Sequence, residues 1–133
     1  MKENLIESAL NAQLNTLSLP TSWENRKFSA VKGTLWIRPT FIPGQSKAAA
    51  IGVNAQDRIT GIYQVDVFAP ADDGVFTGGQ QVNVIETAFK RGTSLVFGGV
   101  TVKINKVWRS TARPEPDWYH IPVIVEWQAD VDV

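Results

Sequence analysis

Residues 5–17 place Ile6, Leu10, Leu14 and Leu17 on one side of a helical spiral, flanked by Leu5 and Ala9, with Glu7, Ser8, Asn11 and Asn15 opposite. That spacing predicts an amphipathic helix. Asn4 followed by Glu7 supplies capping chemistry at its start, a start two residues earlier is also compatible, and Pro20 marks its end. A β-like stretch from Trp23 to Phe28 follows, then a second from Thr34 to Ile42, where Leu35, Ile37 and Phe41 alternate with Trp36, Arg38 and Thr40. Pro39 cannot donate a ladder hydrogen bond, so this strand lies at an edge or stops there.

Residues 43–57 show no usable period and predict a long loop, of a kind that is functional or orders on binding. Arg58–Ala69 reads as the strongest strand, with Tyr63, Val65 and Val67 on one face and Ile62, Gln64, Asp66 and Phe68 on the other. Asp72-Asp73-Gly74 supplies turn and N-cap residues for a second helix reaching Lys90, with Val82, Ile85 and Phe89 in line, Val75 a possible addition, and Gly92 placed as the left-handed residue beyond its end. Gly78-Gly79 weakens its first turns by roughly 1 kcal/mol per glycine.

Leu95-Val96-Phe97, Gly98-Gly99 and Val100–Ile104 predict a hairpin with Val100, Val102 and Ile104 inward. After a polar connection over Ser110–Asp117, a last strand runs from Trp118 to about Gln128. It carries Tyr119, Ile121, Val123, Val125 and Trp127 on one face and His120, Pro122, Ile124 and Glu126 on the other. The order predicts a single α+β domain over residues 1–133, two helices packed on a mixed, mostly antiparallel sheet in a sandwich.

Composition narrows the chemistry. The 133 residues hold 13 basic and 13 acidic side chains, one His and no Cys. Zero net charge speaks against a nucleic-acid or membrane-surface binder and for self-association. Without Cys there is no disulfide framework or thiol catalysis, and one His excludes most transition-metal sites. Acids occupy the first eight residues where a secretory signal needs an apolar core, so no export signal is expected, and no apolar run reaches the ~20 residues of a membrane span.

No nucleophile and base are arranged by sequence, and neither glycine pair matches a phosphate loop. His120 with Asp117 or Glu115 is the one polar cluster that a small hydrolase could use. Asp72-Asp73 reads as helix-capping rather than metal-binding, and Asp130 and Asp132 as a solvated tail. Counting alternate residues puts Lys103 and Arg109 on one side of their strand and Lys106 on the other, with Arg113 following in the connection. By the same count Trp108 joins Val102 and Ile104 in the core, while Trp36 shares a face with Arg38, opposite Leu35 and Ile37.

The order of these pieces carries a resemblance. The N-terminal helix with Leu5-Ile6 and Leu14, Trp23-Glu24, Gly61-Ile62-Tyr63-Gln64-Val65-Asp66-Val67-Phe68, Arg91-Gly92-Thr93, Gly98-Gly99-Val100-Thr101-Val102 and Trp118-Tyr119 with Pro122-Val123 together resemble phage tail terminator-like proteins, over roughly residues 3 to 130. The resemblance implies a structural virion protein rather than an enzyme, with no cofactor. It implies a ring, typically of six subunits, on the head-proximal end of the tail tube. Such a ring stops tube polymerisation and presents a surface to a head-completion or connector protein, while DNA passes through without specific binding. A head-tail connector is the neighbouring alternative.

The location implied is the virion tail, with assembly in the host cytoplasm. A chain of this length has a radius near 18 Å, and six touching spheres of that size leave a hole of roughly 36 Å, wide enough for a DNA duplex. Candidate interface or lumen residues are Trp36, Arg38, Lys103, Arg109 and Arg113, with Lys103 and Arg109 expected toward the lumen and loop 43–57 expected to order across a contact. Charges are uneven along the chain: residues 1–66 carry seven basic and five acidic groups, residues 67–133 six and eight.

Overall fold

The structure, a computed structural model, describes residues 3–48, 56–72 and 74–132. In chain order the elements are α1 (Glu3–Asn15), β1 (Trp36–Ala48), β2 (Gln56–Pro70), α2 (Phe76–Ala88), β3 (Ser94–Phe97), β4 (Val100–Arg109), β5 (Arg113–Glu115) and β6 (Trp118–Asp132). The strands form one six-stranded sheet in the order β1-β2-β6-β4-β3, with β5 added to β6. All strand pairs are antiparallel, and the sheet curls into a half-barrel with both helices on one side. The α+β class is as expected. The mixed sheet is not, since among the described residues the one parallel contact is an isolated bridge between Thr21 and Ile37, and a curled half-barrel stands where a sandwich was expected.

Burial follows the alternation. Ile6, Leu10 and Leu14 of α1 and Val82 and Ile85 of α2, with Phe89 just beyond it, close over Tyr63, Val65, Val67, Val102, Ile104, Val123, Val125 and Trp127. The Trp127 ring, fully buried, stacks on Phe41 at 5.5 Å and leaves no room for a side chain at Gly61. A Cβ there would stand 2.6 Å from both Trp127 Cζ2 and the Ile42 carbonyl oxygen. Gly78 has a comparable role. A Cβ at that position would meet Ile121 Cδ1 at 2.9 Å, so the glycine that weakens the first turn of α2 also lets the helix lie close on the sheet.

The Trp23–Phe28 strand does not form. Asn25 takes a left-handed conformation (φ 58°) and the Arg26 N–H closes a turn onto the Trp23 carbonyl, a geometry Asn tolerates better than most residues. The segment before it lies along β1 instead: Ser22 N–H donates to Ile37 O at 2.8 Å and Ile37 N–H to Pro20 O at 2.9 Å. β1 is an edge strand, as Pro39 requires, and Pro43 is a second residue on it without an N–H. The predicted loop shrinks, because residues 43–48 continue β1 and 56–57 begin β2. Its centre, 49–55, lies outside the described residues.

Helix α2 is shorter at both ends than predicted. Its N-cap is Val75, with no side-chain cap. Asp72 instead occupies a turn at φ 64°, so the capping role expected of it is not filled, and Asp73 lies outside the described residues. Val75 is 70% exposed and does not join the core. Gly92 (φ 89°) is not a helix cap, because the helix ends at Ala88 and Gly92 sits in a turn closed by Thr93 N–H on Lys90 O. The hairpin turn is as predicted, with Gly98 and Gly99 both at positive φ.

A bulge corrects two further expectations. β4 pairs with β6 through Ile104↔Trp127 and then Lys106↔Glu126, so Asn105 is an extra residue and every later side chain changes face. Trp108 therefore leaves the core and is 39% exposed. Lys103 and Lys106 come to one face, opposite Gln128 and Glu126, while Arg109 is carried to the other, opposite Val123. The shared side expected for Lys103 and Arg109 is thus lost.

Candidate functional site

Both helices cover the same side of the sheet, so among the described residues no helix lies on its outer face. That face divides into two halves. In the first, register places Trp36, Phe68 and His120 in one row across β1, β2 and β6, with Arg38 and Asp66 in the next. Trp36 stacks on Phe68 with centroids 4.0 Å apart, Phe68 stacks on His120 at 4.6 Å, and Phe28 and Trp118 pack against Trp36 from two sides. The aromatic cover dries the ions beneath it. Asp66 is 2% and His120 6% exposed.

Asp66 is the hub of this cluster. Its Oδ1 lies 2.7 Å from His120 Nε2 and accepts from Gln64 Nε2 at 2.8 Å, while its Oδ2 faces Arg38 at 3.4 Å. Arg38 also lies over the Phe68 ring, 5.0 Å from its centroid. His120 Nδ1 is 3.5 Å from Glu115, on the short strand β5. A buried charge is tolerable only when paired and hydrogen-bonded, and here four strands contribute to the pairing. Both imidazole nitrogens face carboxylates, Asp66 within hydrogen-bond reach and Glu115 at a longer distance. Asp117, the other partner considered for a hydrolase, points elsewhere and meets Lys32 at 3.9 Å.

The second half of the face is open. Ile42 pairs with Ile62, Ile124 lies diagonal to Ile62, and Trp108 pairs with Ile124, giving an apolar stripe across β1, β2, β6 and β4. Ile42, Ile62 and Trp108 are 45%, 36% and 39% exposed. The Trp108 indole is held in place by donating to Glu126 at 2.9 Å. Lys106 Nζ sits 6.0 Å from the Trp108 ring, and among the described residues neither Lys103 nor Lys106 closes an ion pair. Further along, Arg58 and Asp130 form a bidentate pair at 2.8 and 3.2 Å, which holds the Asp130 carboxyl below its usual range.

A cleft of about 430 Å³ lies on the helix side, bounded by Glu7, Asn11 and Asn15 of α1, by Trp23, Glu24 and Arg26, and by Phe97 of β3. Burial raises the Glu7 carboxyl above its ordinary range, and the hydrogen bond and charge of Glu24 add to the effect. Beneath it, the buried Tyr63 hydroxyl donates to Asn11 and is pushed well up, by burial first and by the Glu7 charge second.

Of the five residues singled out from sequence, the structure brings together Trp36 and Arg38, inside the closed cluster, and sets Arg113 opposite His120 at its rim. Lys103 belongs to the open half, and Arg109 to neither. Sequence parity assigned Asp66 and His120 to outward faces but not to each other. The available signal was the β2–β6 alignment, which sets Phe68 opposite His120 and Asp66 two positions away. Among the described residues no three His, Asp or Glu side chains are grouped to hold a metal, and no helix is long and apolar enough to cross a membrane.

Comparison with known proteins places this architecture. One solved structure shares the fold over 97% of this chain and 96% of its own, with a TM-score of 0.76 at 22% identity. No curated protein matches the chain. The family described as phage tail terminator protein matches residues 5–127, from α1 to Trp127 at the core of the sheet. A match of that extent, on a fold with an uncovered sheet face, means that the chain belongs to the phage tail terminator family and is a structural component of a phage tail.

Proposed function

We propose that this chain forms a ring at the head-proximal end of the tail tube, where it stops tube polymerisation and offers the surface to which the head is joined. The observation that carries the reading is the family match over residues 5–127. The exposure of Ile42, Ile62 and Trp108 on the outer sheet face supports it, since large apolar side chains grouped on one surface of a small domain mark an interaction site. The partners are further copies of the chain, the tail tube protein and a head-completion protein, with DNA passing through the ring. A six-membered ring leaves space for that passage.

Native mass measurement of the purified chain, alone and with tail tube protein, tests the proposal. The expected result is a closed oligomer of about six subunits, dimensionally a ring, formed alone or on the tube. A strict monomer in both conditions overturns it. Cross-linking separates a terminator from a connector, because a terminator must be captured with the tube protein. Capture only with a portal-side protein would transfer the chain to the connector role.

A further inference from the structure

Two patches of this chain carry unpaired charge of opposite sign beside exposed apolar surface. The open half of the outer face presents Lys103 and Lys106 beside Trp108, where Glu126 is taken up by the indole N–H and leaves the patch net positive, and the helix-side cleft presents Glu7 and Glu24 next to Phe97, which is 43% exposed. Arg26 lines the same cleft, yet among the described residues no ion pair joins it to either carboxylate. The patches lie on opposite sides of the sheet, since Lys103 and Lys106 project from the outer face by register while α1 packs on the inner one. They cannot meet within one subunit.

We propose that they meet between subunits: the Lys103/Lys106/Trp108 face of one copy docks on the Glu7/Glu24/Phe97 cleft of the next. This rests on the ring reading above and assigns its seam. Contact between two different patches of the same chain is head-to-tail, and repetition of such a contact closes into a ring when its rotation permits. Opposite charges steer and register the approach, and a half-exposed indole held by Glu126 beside Ile124 is the kind of anchor that dominates interface energy. The Asn105 bulge has a purpose in this arrangement, because without it Lys106 and Trp108 would not share a face with Lys103.

The test uses the full chain and native mass measurement. K103E/K106E and E7K/E24K, each confirmed folded by its unfolding transition, are expected to remain unassembled alone and to assemble when mixed, since every seam in an alternating ring then pairs opposite charges. Trp108→Ala, which leaves charge untouched, is expected to raise the concentration needed for assembly at least about tenfold, as loss of an anchor residue does. Normal rings from K103E/K106E and from Trp108→Ala would overturn the seam while leaving the ring reading intact. Normal rings that no longer bind tube protein would also overturn it and assign the face to the tube. A wild-type chain that never assembles removes both readings.

Discussion

The two halves of the outer sheet face are built from the same strands and differ in what they leave unfinished. Around Asp66 every charged group has a partner within the subunit, and Trp36, Phe68 and Trp118 shut out water. Around Trp108 the indole is satisfied and its partner Ile124 is buried, but Lys103 and Lys106, and Ile42 and Ile62 further across the face, meet solvent. The first half stabilises the fold and tolerates little change. The second leaves exposed charge and apolar surface that the proposed seam would use. A sheet with one bare face can therefore divide that face between self-sufficiency and recognition, with the register of β6 as the common frame.

Substitution should separate the halves. Asp66→Ala leaves the buried His120 without its carboxylate partner, while the half-exposed Arg38 can turn to water, and is expected to cost about 1–3 kcal/mol, read from urea unfolding. A cost near that of an exposed substitution would mean that the closed half is not closed. Gly61→Ala, on the inner face, forces a methyl group against Trp127 and the Ile42 carbonyl and should cost about 1–3 kcal/mol in the same assay.

The smallest effect belongs to Glu7→Gln, and its sign depends on pH. The folded Glu7 carboxyl lies above its ordinary range because of burial and then Glu24. Its contribution to stability is therefore fully present below the ordinary carboxylate range and is lost as pH rises through the raised folded value. Glutamine, neutral throughout, should leave the isolated subunit slightly more stable at pH 7, by less than about 0.5 kcal/mol. It should make no difference below the carboxylate range. Thermal unfolding at both pH values checks this, and a loss of stability at pH 7 would mean that the ionised carboxylate is already paired in the free subunit.

Periodicity carried most of the fold. Strict alternation in β2 and β6 reports burial on the helix side, and the glycine pair at 98–99 fixes its hairpin because both residues need positive φ. What it missed has two causes. Alternation assumes an unbroken ladder, and one extra residue at Asn105 reverses everything beyond it, so Trp108 and Arg109 were assigned to the wrong faces. Alternation also treats an outward face as wet, and Asp66 and His120 are dry where Phe68 stacks on His120 and Trp36, distant in sequence, stacks on Phe68. Neither local bulging nor cover from elsewhere leaves a mark in a period of two. At Trp23–Phe28, Trp23 packs against the core and Phe28 against Trp36 on the outer face, which mimicked a strand that Asn25 bends away.

The margins of the sheet have their own consequence. Along β1, Pro39 and Pro43 offer no N–H and Ile37 is already bonded by Pro20 and Ser22, while β3 at the other margin is only four residues long. Neither rim offers a long template on which another strand could add, the route by which sheets grow without limit. If copies of this chain associate as proposed, they meet through side chains rather than shared backbone, an association that can close instead of growing into a fibre. A member of a family that ends a polymer is thus itself poorly equipped to start one.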